Sequence, residues 1–520
     1  MRSVKNSNAD HGDDDWAEIP DSLSIQNKQM ARLSVSSCQE DSLHIWGSVD
    51  ASSCSRLDTR ADRLVDWQVE VLMGFLEKVF QHRLPPTVQT SRLTKPSDDC
   101  MGLVIDEVVE VIELPDFVAG SRTKRPSRLS KQLTTVVRTQ LKEFVACIAS
   151  MYRDVPFHNF EHASHVTMSA NKLMKRIITP DDHVDGSKPL GPSELHGSTF
   201  GISSDPLTQF AVVFAALIHD VDHTGLSNST LVDKKFAVAR IFSNKSVAEQ
   251  NSVVVAWELL MESRFSDLQT CIFACDSDRK RFRQLVVNAV MATDIMDAGL
   301  SALRKNRWEK AFDSFLASSL SQDEEKQEIH QKAIIDSFLV RSLSEDEEKQ
   351  DIHRKATIVI EHIIQASDVA HTMQHWHIFL KWNARLYNEL YRSYKLGYIC
   401  KDPADGWYEG EIAFFDHYVI PLARKLKECG VFGVSGDEYL QYAEWNRQEW
   451  EQKGREETRK MVLQREEDEK DVDSSGSDCE ACTFGAVVAT EAGAWKPSVP
   501  CSGRHESPQF SPETISPIKI

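Results

Sequence analysis

The stretch Leu207-Thr-Gln-Phe-Ala-Val-Val-Phe-Ala-Ala-Leu-Ile218-His219-Asp220-Val-Asp-His223 decides how the chain is read. Residues 210–218 form its longest apolar run. That is about half of what crosses a bilayer, and it ends on His219-Asp220, so it predicts a buried helix in a globular protein. Working outward, the same helical period recurs on both sides. Leu133, Val136, Val137, Leu141, Phe144, Ile148 and Met151 mark one face of a long amphipathic segment. Leu64, Trp67, Val71, Leu72, Phe75, Leu76 and Val79 mark another, stopped by Pro85-Pro86. Further helical patterns cover 159–178, 246–262, 280–293, 355–367, 371–394, 414–427 and 438–453. No strand–turn–strand series interrupts them, so the expected class is all-α.

Composition agrees with a globular chain. Of 520 residues, 41% are hydrophobic and 27% charged. Sixty Lys and Arg against 79 Asp and Glu give a net charge of −19, which argues against nucleic-acid polymers and anionic membranes as partners. Neither a secretory signal nor myristoylation is expected from the first residues, which lack an apolar core and carry Arg at position 2. Eleven scattered cysteines, an odd number, read as reduced thiols and predict a cytoplasmic, soluble protein. Cys479-x-x-Cys482 supplies two of the four ligands a structural zinc needs and reads as chance.

Boundaries follow the patterning. Residues 1–58 are Ser- and Asp-rich and expected to be a disordered tail. A helical extension is expected over 59–124, with a second apolar stretch at 104–114, and a main helical domain over 125–456. An acidic, then Ser- and Pro-rich, disordered tail is expected over 457–520. One internal repeat is plain: the segment from Asp313 to Ala333 recurs from Asp336 to Ala356, an offset of 23. Two copies do not make a solenoid, so 313–357 reads as a tandem duplication in a charged surface insert. His330 and His353 belong to that repeat and are not expected to be ligands.

Three clusters carry chemistry. The first is Phe157-His158-Asn159-Phe160-Glu161-His162-Ala163-Ser164-His165-Val166, the second His219-Asp220-Val221-Asp222-His223, the third Ser367-Asp368 after an apolar run. His158 and His162 are four apart, as are His219 and His223, so each pair would share a helix face. Imidazole with carboxylate suits zinc and similar ions, and a carboxylate can bridge two of them. From residues alone two readings stay open: core histidines with chance doublets, or a two-metal hydrolase. A charge delivered by a buried helix needs a partner, which favours the second.

The ordered set of motifs resembles the class I 3′,5′-cyclic-nucleotide phosphodiesterases, in a form similar to microalgal domains. His158-Asn159-x-x-His162-Ala163-x-x-Val166 and His219-Asp220-x-x-His223 match that family's signature. The likeness continues through Ala292-Thr293-Asp294, Ala366-Ser367-Asp368, Trp382 and Phe414-Phe415-Asp416 to Pro421-Leu422. It implies a compact all-helical catalytic domain, here 125–456. It further implies hydrolysis of cyclic AMP or cyclic GMP to 5′-monophosphates, in signal transduction. His162, His219, Asp220 and Asp368 would hold a first metal, expected to be zinc. Asp220 would bridge to a second, expected to be Mg²⁺ or Mn²⁺. A hydroxide between the ions would attack the phosphate, and His158 would protonate the leaving O3′ as general acid. His223, Glu249, Thr293 and Asp294 would orient ligands and water around the ions. In the substrate site, His158, Asp220 and Asp368 would meet the phosphate. Phe414 would clamp the purine, Leu386 would face it, and His371 would edge the pocket.

The sequence departs from the family at Phe157, where a Tyr is usual, at Gln250-Asn251-Ser252, and at Gln365, where a His is usual. Most consequential, the purine-reading Gln falls on Glu411. An ionised Glu only accepts hydrogen bonds, which favours the N1–H of guanine; a neutral Glu donates and accepts as Gln does. The expectation is a mild preference for cyclic GMP that fades as pH falls. The pattern leaves open a homodimer and regulatory contacts through the tails. Two rival readings are a phosphohydrolase of open phosphates and a silent cyclic-nucleotide sensor. Against the first stand His158 and Phe414; against the second, the intact set of ligands and acid.

Overall fold

Pro206 opens the helix that the apolar run predicts. We describe the protein from a computed structural model, in which residues 59–82, 102–117, 128–179, 191–313 and 345–474 are described. The helices α1 (Thr59–His82), α2 (Arg128–Met151), α3 (Phe160–Ile178), α4 (Pro192–Ser198) and α5 (Pro206–Ile218) come first. Then come α6 (Asn228–Asp233), α7 (Ala237–Ile241), α8 (Val247–Leu260), α9 (Ser266–Ile272), α10 (Asp276–Met291) and α11 (Ala298–Trp308). The series ends with α12 (Glu345–Asp368), α13 (Trp376–Lys395), α14 (Trp407–Phe414), α15 (Ile420–Glu428) and α16 (Val434–Ser474). Among the described residues there is no strand, so the class is all-α as expected.

Helix α5 is buried at every position after Pro206. An apolar helix with no polar face has to be wrapped on all sides. Helices α1, α3, α10 and α12 do the wrapping. Asn159 caps α3, its side chain accepting the backbone N–H groups of Glu161 and His162, a contact of about 1 kcal/mol. That cap fixes where the helix starts, and so where His162 points.

Helix α1 follows its sequence pattern in part. Leu72, Phe75, Leu76 and Val79 are buried, whereas Leu64, Trp67 and Val71 are only half-buried. Val65, Val69 and Met73 are buried instead, and the helix lies on α2, α5 and α3. The apolar stretch 104–114, grouped above with a helical extension, behaves differently. Only Val104–Glu107 forms a 3₁₀ turn, and the rest runs as an irregular strap over the helices. The backbone N–H groups of Ile105, Val109 and Ile112 donate to side-chain oxygens of Gln250 (3.2 Å), Asn288 (3.2 Å) and Thr357 (2.8 Å). Ile112 and Leu114 are buried beneath it, and Arg283 grips Glu107 with two 2.6 Å contacts. Backbone groups satisfied by side chains replace a helix ladder here.

Two expected boundaries move. Residues 314–344, most of the repeat insert, lie outside the described residues, as do 1–58 and 475–520. The end of the second repeat copy is no surface insert. It starts α12, and Ala356 and Thr357 are buried in it. The period of 3.6 runs unbroken from Ile352 to Asp368, so the duplication feeds the helix that ends on a metal-ligand candidate. At the other end α16 continues past 457 to Ser474, with ion pairs such as Arg459–Glu456 and Lys460–Glu457 at helical spacing.

Candidate active site

The candidate ligands meet where α3, α5 and α12 converge. His162 stands in the first turn of α3, His219-Asp220 just past the end of α5, and Asp368 at the last residue of α12. Nε2 of His162 lies 3.0 Å from Asp368 Oδ1 and 3.6 Å from Asp220 Oδ2. Nε2 of His219 lies 3.1 Å from Asp220 Oδ2 and 3.4 Å from Asp368 Oδ1. All four ligand atoms fall within 4.8 Å of one another. Both imidazoles are buried.

The His219 tautomer tests whether this cluster suits a cation. Its Nδ1 sits 3.0 Å from the Ala216 carbonyl, which can only accept, so Nδ1 carries the proton. A neutral His219 therefore aims a bare Nε2 lone pair at two carboxylates. Burial opposes charging the ring, yet Asp220 overrides it and drives the pKa well above the usual value. The site thus demands positive charge at Nε2, which an imidazolium or a divalent ion supplies. Two imidazoles and two carboxylates are a donor set that suits zinc.

Asp222 is held in the left-handed region, φ +63°. Arg153 Nε and Asn251 Nδ2 donate to its two oxygens, at 2.7 and 3.1 Å. The turn brings His223 back beside the cluster, its ring 4.0 Å from that of His158. The Gly225 N–H donates to His223 Nδ1, which leaves the His223 proton on Nε2. Burial, then the neighbouring His158, holds His223 down to about 4.

Sequence reading missed Glu389 on α13. Its Oε1 lies 2.5 Å from His158 Nδ1, and its Oε2 accepts the N–H groups of Phe157 (2.8 Å) and His158 (3.0 Å). Burial opposes its ionisation, but His158 and these donors bring it down to about 2. In return the carboxylate overcomes burial and lifts His158 to about 9. Gly225 takes the left-handed φ of +75° beside it, where a Cβ would be strained and would crowd Glu389 Cγ at 3.2 Å. The lone clue in sequence is a Glu on the buried side of an amphipathic helix.

Glu249, Thr293 and Asp294 were expected around the ions. Thr293 donates to the Val290 carbonyl at 2.7 Å. Glu249 and Asp294 are joined by a second residue not foreseen, Asn228, whose Nδ2 donates to Glu249 Oε2 at 2.9 Å and to Asp294 Oδ2 at 3.3 Å. Burial, then Asp294, pushes Glu249 up to about 8.

The base-pocket candidates lie on α13, α14 and the turn after α12. Glu411 is buried, and burial pushes it up to about 8 against the effect of a hydrogen bond from Asn383. Asn383 in turn accepts the indole N–H of Trp407 at 3.0 Å. Leu386 is half-buried one turn along α13 from Asn383. Phe414 stacks on Tyr418, 5.4 Å away with planes 21° apart. His371 is buried and held well below its usual value by burial and His165. It packs near Phe157 (5.6 Å) and Trp382 (6.2 Å). The departures from the family pattern have local uses. Gln365 donates to the Ala292 carbonyl, Gln250 ties down the strap, and Phe157 packs 4.6 Å from the His162 ring.

Comparison with known proteins adds a family. Residues 157–430 match the model of the 3′5′-cyclic nucleotide phosphodiesterase family. A Drosophila melanogaster 3′,5′-cyclic-AMP phosphodiesterase, isoform F, is 31% identical over 173 residues, 32% of this chain and 22% of that protein. A Dictyostelium discoideum cGMP-specific 3′,5′-cGMP phosphodiesterase is 27% identical over 169 residues, 32% of this chain and 31% of that protein. The matches span under a third of these relatives' own length. The phosphodiesterase domain of the Salpingoeca rosetta RhoPDE fusion protein, a crystal structure, is 19% identical with a TM-score of 0.43, covering 64% of this chain and 90% of that one.

Proposed function

Because the chain belongs to the 3′5′-cyclic nucleotide phosphodiesterase family, we propose that it hydrolyses cyclic GMP, cyclic AMP or both to the 5′-monophosphate. The observation that carries this reading is the His158–Glu389 pair beside the four-ligand cluster. His162, His219, Asp220 and Asp368 would hold zinc. An ion that prefers oxygen and water, Mg²⁺ or Mn²⁺, would share Asp220 and face Glu249, Thr293 and Asp294. When bound, the ions supply an activated nucleophile and neutralise charge on the phosphoryl oxygens.

The chain's own residues handle the proton. His158 gives its Nδ1–H to Glu389, so its Nε2–H is the one left for the departing O3′. Glu389 keeps the ring charged at neutral pH, and a cyclic diester is the substrate that needs an acid at O3′. His223, neutral and 4.0 Å away, does not compete for the charge.

The relatives named above differ in nucleotide, so the family leaves the base to Glu411. Burial that lifts its pKa to about 8 supports a neutral carboxyl at pH 7 and broad selectivity there. Above pH 8 the ionised form would favour cyclic GMP. The test is hydrolysis of both cyclic nucleotides side by side, with and without Mg²⁺, from pH 6 to 9.5. A kcat/KM ratio that swings toward cyclic GMP above about pH 8 in wild type, and stays flat in Glu411→Gln, is the expected result. No hydrolysis of either nucleotide under any metal condition would end the proposal.

A further inference from the structure

Asn228 is the first residue of α6, directly after its cap Ser227, and its side chain is fully committed. Its Oδ1 accepts the backbone N–H of Ala248 at 2.9 Å. A backbone N–H can only donate, so the amide cannot be turned over, and Nδ2 must face the other way. There its two hydrogens reach two carboxylates on two other elements: Glu249 on α8 and Asp294 in the turn after α10. Asp294 is anchored from behind, its Oδ1 accepting the N–H groups of Met296 (2.9 Å) and Asp297 (3.0 Å). One amide that donates to both side chains sets the spacing between Glu249 and Asp294.

We propose that Asn228 is a positioning residue for the second divalent ion, holding Glu249 and Asp294 as a fixed pair of acceptors for the water around it. The proposal rests on the two-ion reading above. It assigns Asn228 no contact with substrate or metal; it acts through the two carboxylates. Groups that orient a metal's surroundings in this way typically contribute 10–100-fold in metal affinity.

The experiment uses the full chain loaded with zinc. Free Mn²⁺ is read by its electron paramagnetic resonance signal during titration, and zinc content is measured alongside. For Asn228→Ala we expect Mn²⁺ affinity to fall about 10–100-fold with zinc content unchanged. The Mn²⁺ concentration for half-maximal hydrolysis should rise in step, while KM at saturating Mn²⁺ stays near wild type. Asn228→Asp guards against a variant that fails to fold. It keeps an acceptor for Ala248 but sets oxygen against oxygen at Glu249 and Asp294, so Mn²⁺ should again bind more weakly. Unchanged Mn²⁺ affinity in the alanine variant, zinc lost together with Mn²⁺, or tighter Mn²⁺ in the aspartate variant each overturns the proposal. A wild type that binds no Mn²⁺ beyond its zinc overturns the two-ion reading as well, which separates the two failures.

Discussion

One contact decides what His158 can do: the carboxylate of Glu389 on Nδ1, which leaves Nε2 as the nitrogen to deliver a proton. His158→Ala should lower turnover about 10²–10⁴-fold while bound zinc, measured by metal analysis, stays constant. Glu389→Gln removes the charge that holds the His158 proton. Activity that depends on that proton is lost as pH rises through the His158 pKa, about 9 with Glu389 present. In the variant this alkaline fall should move toward lower pH, read from the kcat profile; an unmoved limb would detach Glu389 from the acid. Asp220→Ala or Asp368→Ala should abolish turnover and lower the melting temperature, because an ion that binds only the folded chain stabilises it. The metal-ligand candidates were legible because short spacings and an apolar run announced them. Glu389 was not, since its partner lies 231 residues away and its own neighbourhood looks like any amphipathic helix. Asn228 was silent for the same reason, its partners lying 20 to 66 residues on.

At the level of elements, the duplicated segment gives a sharp case. The first copy has Ile334 where the second has Thr357, and Thr357 Oγ1 accepts the strap's Ile112 N–H at 2.8 Å. Deleting residues 313–335 leaves that acceptor in place and should leave the melting temperature near wild type. Deleting 336–358 instead puts Ile at the Thr357 position and orphans a buried N–H, a cost of about 1–3 kcal/mol that calorimetry would detect. Equal melting temperatures for the two deletions would mean the Ile112 contact carries no weight. Periodicity gave the helices of this region well, because burial of one face repeats every turn. It misjudged the strap, whose apolar residues are buried without any period and whose backbone is satisfied from α8, α10 and α12.

Across the whole molecule, the family match begins at residue 157, but the packing does not. Helix α1 buries seven apolar side chains against the others, each contributing about 1.5–3 kcal/mol. Without α1, the apolar faces of α3 and α5 that it covers would meet water. A fragment of residues 157–430 should therefore be insoluble or unfolded, whereas 59–474 should give a cooperative melt, both checked by circular dichroism. The strap has its own consequence, in the order of events. Its three anchoring partners lie 145, 179 and 245 residues away in the chain, so it can settle only on helices that have already assembled. What docks last on a finished surface is commonly what lifts first. In hydrogen exchange, the amides of Ile105, Val109 and Ile112 should trade their protons together, well ahead of those in α5, as one small door opening in a molecule that otherwise stays shut.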